Sequence, residues 1–303
     1  MRDGLYRVLI QHLRCGGMDE TFAADPAAFD AYFRGDRRTC SCGTDWFDVF
    51  QEFVKQLPER WTLTEVLGGL HAIKDLDLAP GQSQEVSMND MGIPADAEVF
   101  DVNFMLTGDA PTFRPSLVFG NDVHLDPFPR TLRVHAVPNP GVVGHLSATP
   151  SIRFVVPSPD GTPMQHLCAA GKHFVAGRYD SIVVPAHIAV ECALTRALSA
   201  WIARFRVPKV VEKFFDRSRY EEKLKKICSE AAKDLKIPAL PRPIRKQLDL
   251  LREYRNDIAH NGMPYRAERP SLTKDTATTH LIAALFGCQY ARYLREASRL
   301  SQI

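Results

Sequence analysis

The 303 residues are 45% apolar and 24% charged, enough to fill one large core or two ordinary ones, which excludes a chain without packed domains. Seven cysteines, an odd number, suit a reducing cytosol better than a disulfide framework; with no signal-like run near the start and no stretch approaching the ~18 apolar residues of a membrane span, the chain is expected to be soluble and cytoplasmic. The net charge of +2 hides an asymmetry, because residues 1–110 hold 9 Lys and Arg against 19 Asp and Glu, whereas residues 201–260 hold 16 basic and 9 acidic residues.

The first elements are mixed in type. LYRVLIQHLRC (5–15) reads as a strand, DWFDVFQEFVKQL (45–57) as an amphipathic helix, and TLTEVLGGLHAIKDL (62–76) as a short helix weakened by Gly68 and Gly69. In QHLRC and TCSCG stand His12, Cys15, Cys40 and Cys42, the atom types of a closed tetrahedral zinc site. Their spacing is not that of a standard finger, since the second pair is one residue tighter than CxxC. Small buried cysteines are the alternative.

From about residue 97 the text turns strand-like. EVFDVNFMLTG, RTLRVHAVP and SIRFVVPSPDG are short runs with β-branched or aromatic residues, punctuated by Pro and Gly. Residues 1–170 are therefore expected to form a mixed α/β module with a substantial sheet, within an α+β protein. His124, His135, His145, His166 and His173 are scattered through this region and read as satisfied or surface histidines. Gly-rich phosphate loops, G-x-S-x-G and HExxH are absent from the sequence.

Residues 171–303 change character, with the boundary near 165–180. SIVVPAHIAVECALTRALSAWIARF, YEEKLKKICSEAAKDL, PRPIRKQLDLLREYRNDIAH and SLTKDTATTHLIAALFGCQYARYLREAS read as four helices of an antiparallel bundle, the last starting at Ser271. Trp201 and Phe205 belong to core or dimer contact. The basic surplus here suits a polyanionic partner, with a solvated helix surface as the plainer reading.

In the third helix Ile244, Leu248 and Leu251 fall at i, i+4 and i+7, and Arg255 continues that stripe to within about 20°. A guanidinium does not deprotonate, so its surroundings must offer a carboxylate, an open cleft or an anion. His260 follows five residues later, with Asn261 and Gly262 as stop signals, and is expected at a frayed helix end. An arginine can hold a phosphate while an imidazole exchanges a proton with a ribose hydroxyl near neutral pH. The spacing alone is weak, because Arg7 to His12 and Arg130 to His135 share it.

With RNDIAH in that setting, IAVECAL in the first helix and HLIAALFGCQYARYL in the last, residues 175–303 resemble a HEPN domain. The resemblance implies a homodimer in which two such motifs face a shared cleft and cut RNA without a metal, as toxin or antiviral effectors of that family do. His260 would be the general acid and base, Arg255 the stabiliser of charge on the phosphate, and Asn256 a positioning residue. Asp257 reads as a helix-end hydrogen-bonding residue, and Glu191 as an acid that either supports Arg255 or forms a structural ion pair. No cofactor is implied for catalysis. An antitoxin or trigger molecule would act at the N-terminal module. The alternative, also within the family, is a non-catalytic scaffold that dimerises or binds a nucleotide.

Overall fold

A computed structural model describes residues 4–7, 10–16, 18–19, 26–56, 70–79, 81–107, 113–119, 130–138, 146–156, 162–205, 218–261 and 271–301. In chain order the strands are β1 (Gly4–Arg7), β2 (Ile10–Gln11), β3 (Met18–Asp19), β4 (Leu70–Ile73), β5 (Leu76–Leu78), β6 (Ser83–Ser87), β7 (Glu98–Thr107), β8 (Phe113–Phe119), β9 (Thr131–Pro138) and β10 (Leu146–Val155). The helices are α1 (Pro26–Arg34), α2 (Trp46–Gln56), α3 (Thr162–Val175), α4 (Val183–Ala203), α5, α6 (Arg242–Asn261) and α7 (Lys274–Leu300). α5 starts at Tyr220–Glu222, passes through a π turn at Lys223–Ile227 and ends at Cys228–Asp234.

The protein is a mixed α+β fold in two compact units. One comprises Met1–Val8 with Gly68–Pro157, the other Leu9–Leu67 with Ser158–Ile303. This partition is interleaved, whereas the sequence suggests a single crossing between residues 170 and 171. The difference concerns Leu9–Leu67, whose helices α1 and α2 pack on α7.

In the sheet unit β10 is the central strand. It pairs antiparallel with β4 and β5 on one side and with β7 on the other, and β1 extends the sheet beyond β4. A second antiparallel sheet has the order β6-β9-β8. Alternate residues Leu132, Val134 and Ala136 of β9 share a core with Ala148, Ile152 and Phe154 of β10, as period-two side-chain alternation requires. The intervening Thr149 is buried as well, and its hydroxyl donates to Asp75 at 2.6 Å. The expected helix at 62–76 is not formed over its second half: Leu70–Ile73 bonds to β1 and β10 on its two sides, so its backbone groups are satisfied as a strand. Its first half lies outside the described residues.

In the helical unit all four expected helices form, and α1, α2 and α3 add to them. α7 lies in the middle, packed by α1, α2, α3, α4 and α6. Phe29, Tyr32, Phe47 and Phe50 from α1 and α2 meet Phe286 of α7 edge-on, at centroid distances of 5.1–5.4 Å. Arg292 of α7 binds Asp30 and the Pro26 carbonyl at the start of α1. Thr273 caps α7 through the Thr276 amide, two residues after the expected start at Ser271. α4 with the turn before it (Tyr179–Ala203) is long and apolar enough to cross a membrane, which the sequence reading does not anticipate; more than half of it is buried in the unit. A core helix covered on several sides has the same composition.

Candidate functional site

The apolar stripe of α6 forms as its spacing predicts. Ile244, Leu248 and Leu251 are fully buried, and Arg255 is half-buried where the stripe leaves the core. The helix as described runs to Asn261, so residue 260 is helical and lies in its last described turn. Positions 255 and 260 are then about 140° apart in helical phase. A single turn of backbone does not bring them to one face.

Arg255 and Arg252 differ in their partners. Arg252 is held by Asp249 at 3.0 Å, and Lys225 bridges Asp249 at 2.8 Å and Glu221 at 2.9 Å. Arg255 donates to the Asn256 side-chain oxygen at 3.2 Å, and among the described residues no carboxylate pairs with it. Glu191 faces His187 at 3.7 Å and not Arg255. Asp257 is buried at the end of α6. Other bases of the 201–260 run are also internally matched, as Arg204 is with Asp234 at 2.9 Å, so the basic surplus is only partly free for a polyanion.

Two residues of α4 and α5, His187 and Tyr220, are not singled out by the sequence. His187, one turn before Glu191 on α4, is 3% exposed, and its ring lies 4.5 Å from that of Tyr220 at the start of α5. Among the described residues neither His187 nitrogen nor the Tyr220 hydroxyl has a hydrogen-bond partner. Burial, reinforced by the Arg255 and Arg252 guanidiniums, pushes His187 down to about 4, so it is neutral at physiological pH. The signal available in the sequence is a histidine inside the most apolar helix. A guanidinium with no carboxylate partner among the described residues, its charge felt by a neutral imidazole, is suited to receiving an anion.

A second cluster lies at the other end of the same unit's sequence. The amides of Cys15 and Gly16 bond back to the His12 carbonyl at 3.3 and 2.8 Å. The Cys40 amide bonds to Thr44 and the Gly43 amide to Cys40, each at 2.8 Å, with Gly43 at φ +88°, a value side-chain-bearing residues avoid. These two turns bring His12 Nδ1 within 3.0 Å of Cys15 Sγ and 3.2 Å of Cys42 Sγ, and Cys15 Sγ within 3.5 Å of Cys40 Sγ. All four donor atoms lie within 4.8 Å of one another. Two sulfurs bound tetrahedrally to one zinc at 2.3 Å stand about 3.8 Å apart, so the set fits a metal ion of that size. The Cys42 amide, first among its neighbours, lowers the Cys40 thiol to about 6. All seven cysteines are free thiols.

The remaining candidates are ordinary. His135 Nδ1 lies 2.6 Å from the Ser83 hydroxyl, Arg130 donates to the Pro94 and Ala97 carbonyls, and His124 and His145 lie outside the described residues. Trp201 donates to Asp234 at 2.9 Å and packs on Phe205. Comparison with protein-family models, curated proteins and solved structures finds no match to this chain.

Proposed function

We propose that the helical unit is a HEPN-type endoribonuclease, active as a homodimer and needing no metal for the chemical step, and that the protein acts as a toxin or antiviral effector in the cytoplasm. The observation that carries this reading is Arg255: a half-buried guanidinium at the edge of a core face, without a carboxylate among the described residues, while its neighbour Arg252 is fully matched. In the reaction a ribose 2′-oxygen attacks phosphorus, the bond to the 5′-oxygen breaks, and the products are a cyclic 2′,3′-phosphate and a 5′-hydroxyl. His260 exchanges the protons, and Arg255, held by Asn256, stabilises charge on the phosphate oxygens. The sheet unit is assigned a regulatory role, receiving a trigger molecule or antitoxin. The His12, Cys15, Cys40 and Cys42 cluster is assigned a structural zinc; with four protein ligands such a site keeps no open position for substrate.

The test is RNA incubation in excess chelator. The parent should generate cyclic phosphate ends, and Arg255→Ala or His260→Ala should lower the rate by at least about 10²-fold. An inactive parent, or variants that cut as well as it does, overturns the assignment. The non-catalytic scaffold is favoured by one observation, the 140° phase between positions 255 and 260. On that reading Arg255→Ala loses nucleotide affinity in a protein that never cuts RNA.

A further inference from the structure

The zinc assignment leaves one buried group unexplained. His12 turns Nδ1 toward the cysteines, while its Nε2 is buried and has no hydrogen-bond partner among the described residues. Glu52 Oε2 on α2 lies 3.7 Å from it, and Glu52 is itself held by Arg14 at 2.7 Å. An imidazole that binds a metal through one nitrogen carries its proton on the other and donates it, commonly to a carboxylate, which fixes the ring and makes it a better ligand.

The opposite side of the cluster runs straight into helix packing. Cys40 and Cys42 lie in the turn that ends at Asp45, whose carboxylate accepts from the Phe47 amide and so caps α2. The same carboxylate accepts from the Tyr32 hydroxyl of α1 at 2.9 Å and from Arg38 at 3.2 Å. Phe47 and Phe50 follow directly, packed on Phe286 of α7, and Gln51 takes the Thr279 hydroxyl of α7 at 3.0 Å. A bond between residues 12–15 and residues 40–42 therefore closes the segment that contains α1 and sets the entry of α2.

We infer that the metal ion fastens the α1–α2 pair onto α7, and that Glu52 is the positioning residue that orients His12 for it. This rests on the zinc assignment above. The site acts from outside the Arg255 region, by keeping the aromatic cover of the central helix in place.

The experiment uses the full-length protein purified under reducing conditions. Zinc content and cobalt substitution test the metal: one ion per chain is expected, with tetrahedral cobalt–thiolate absorption that Cys40→Ser removes. Competition with a chromophoric chelator tests Glu52. Glu52→Ala should weaken zinc binding by about 10–100-fold, and Glu52→Gln, which still offers an acceptor, should recover part of it. Hydrogen exchange with and without zinc tests the fastening, and the amides of α1, α2 and the middle of α7 should exchange faster in the apo protein. A chain with reduced cysteines that takes up no metal overturns the zinc assignment and this inference together. Zinc bound at one per chain, with Glu52→Ala affinity unchanged and exchange in α1 and α2 indifferent to metal, overturns the inference alone.

Discussion

Arg252 and Arg255 stand three residues apart on α6 with the same charge and different surroundings. Arg252 belongs to a matched network with Asp249, Glu221 and Lys225, all partly exposed. Such networks contribute little, so Arg252→Ala should lower the unfolding free energy measured in urea by no more than about 1 kcal/mol and leave RNA cleavage close to the parent rate. Arg255→Lys should do the reverse: thermal stability unchanged, cleavage sharply reduced, because an ammonium does not reproduce the two parallel hydrogen bonds of a guanidinium to a phosphate. Measuring both properties in both variants separates a structural charge from a functional one. The stripe that exposes Arg255 is legible from spacing. The absence of a carboxylate partner for it among the described residues is not, since the sequence offers Glu191 and only the packing turns that acid toward His187.

At the scale of elements, α7 is the helix on which the unit depends. A Cβ on Gly287 would stand 2.9 Å from Leu248 Cδ1 and 3.3 Å from Val190 Cγ1, between α6 and α4. Gly287→Ala should therefore destabilise the protein by about 1–3 kcal/mol in chemical denaturation, despite the better helix propensity of alanine, because Leu248 is fully buried and has little room to move. Burial also makes the helices pH-sensitive. His187 and His280 are pushed down by burial to about 4 from an ordinary 6.5. The unfolded chain takes up these protons first, so stability from these sites is intact above about pH 6.5 and falls as pH drops towards 4, on the order of 1 kcal/mol per pKa unit per site. Urea midpoints between pH 7 and 4.5 should show that decline, and His280→Gln should flatten part of it.

For the whole molecule, the interleaved partition decides how the chain can be cut. A fragment of residues 171–303, which the sequence suggests as a domain, lacks the Phe29, Phe33, Phe47 and Phe50 side chains that cover Phe286 and Tyr290. It should bind a hydrophobic dye and show a weak near-ultraviolet signal, whereas a chain that keeps residues 9–67 with 158–303 and replaces 68–157 by a flexible linker should give a cooperative transition. Equal stability of the two would mean that α1 and α2 add nothing to the helical core.

The sequence alone determined the α+β class, most element positions, the apolar stripe of α6 and the atom types of a metal site. Each of these follows from local period or composition, which a few neighbouring residues specify. Tertiary structure decided that residues 9–67 join the later helices, that residues 70–73 form a strand, and that His187 comes to rest against Tyr220 within the field of Arg255. It also decided that His12, Cys15, Cys40 and Cys42 converge within 4.8 Å. Those outcomes depend on contacts between residues tens to hundreds of positions apart, where the choice among equally apolar or equally polar partners is made by packing and not by pattern.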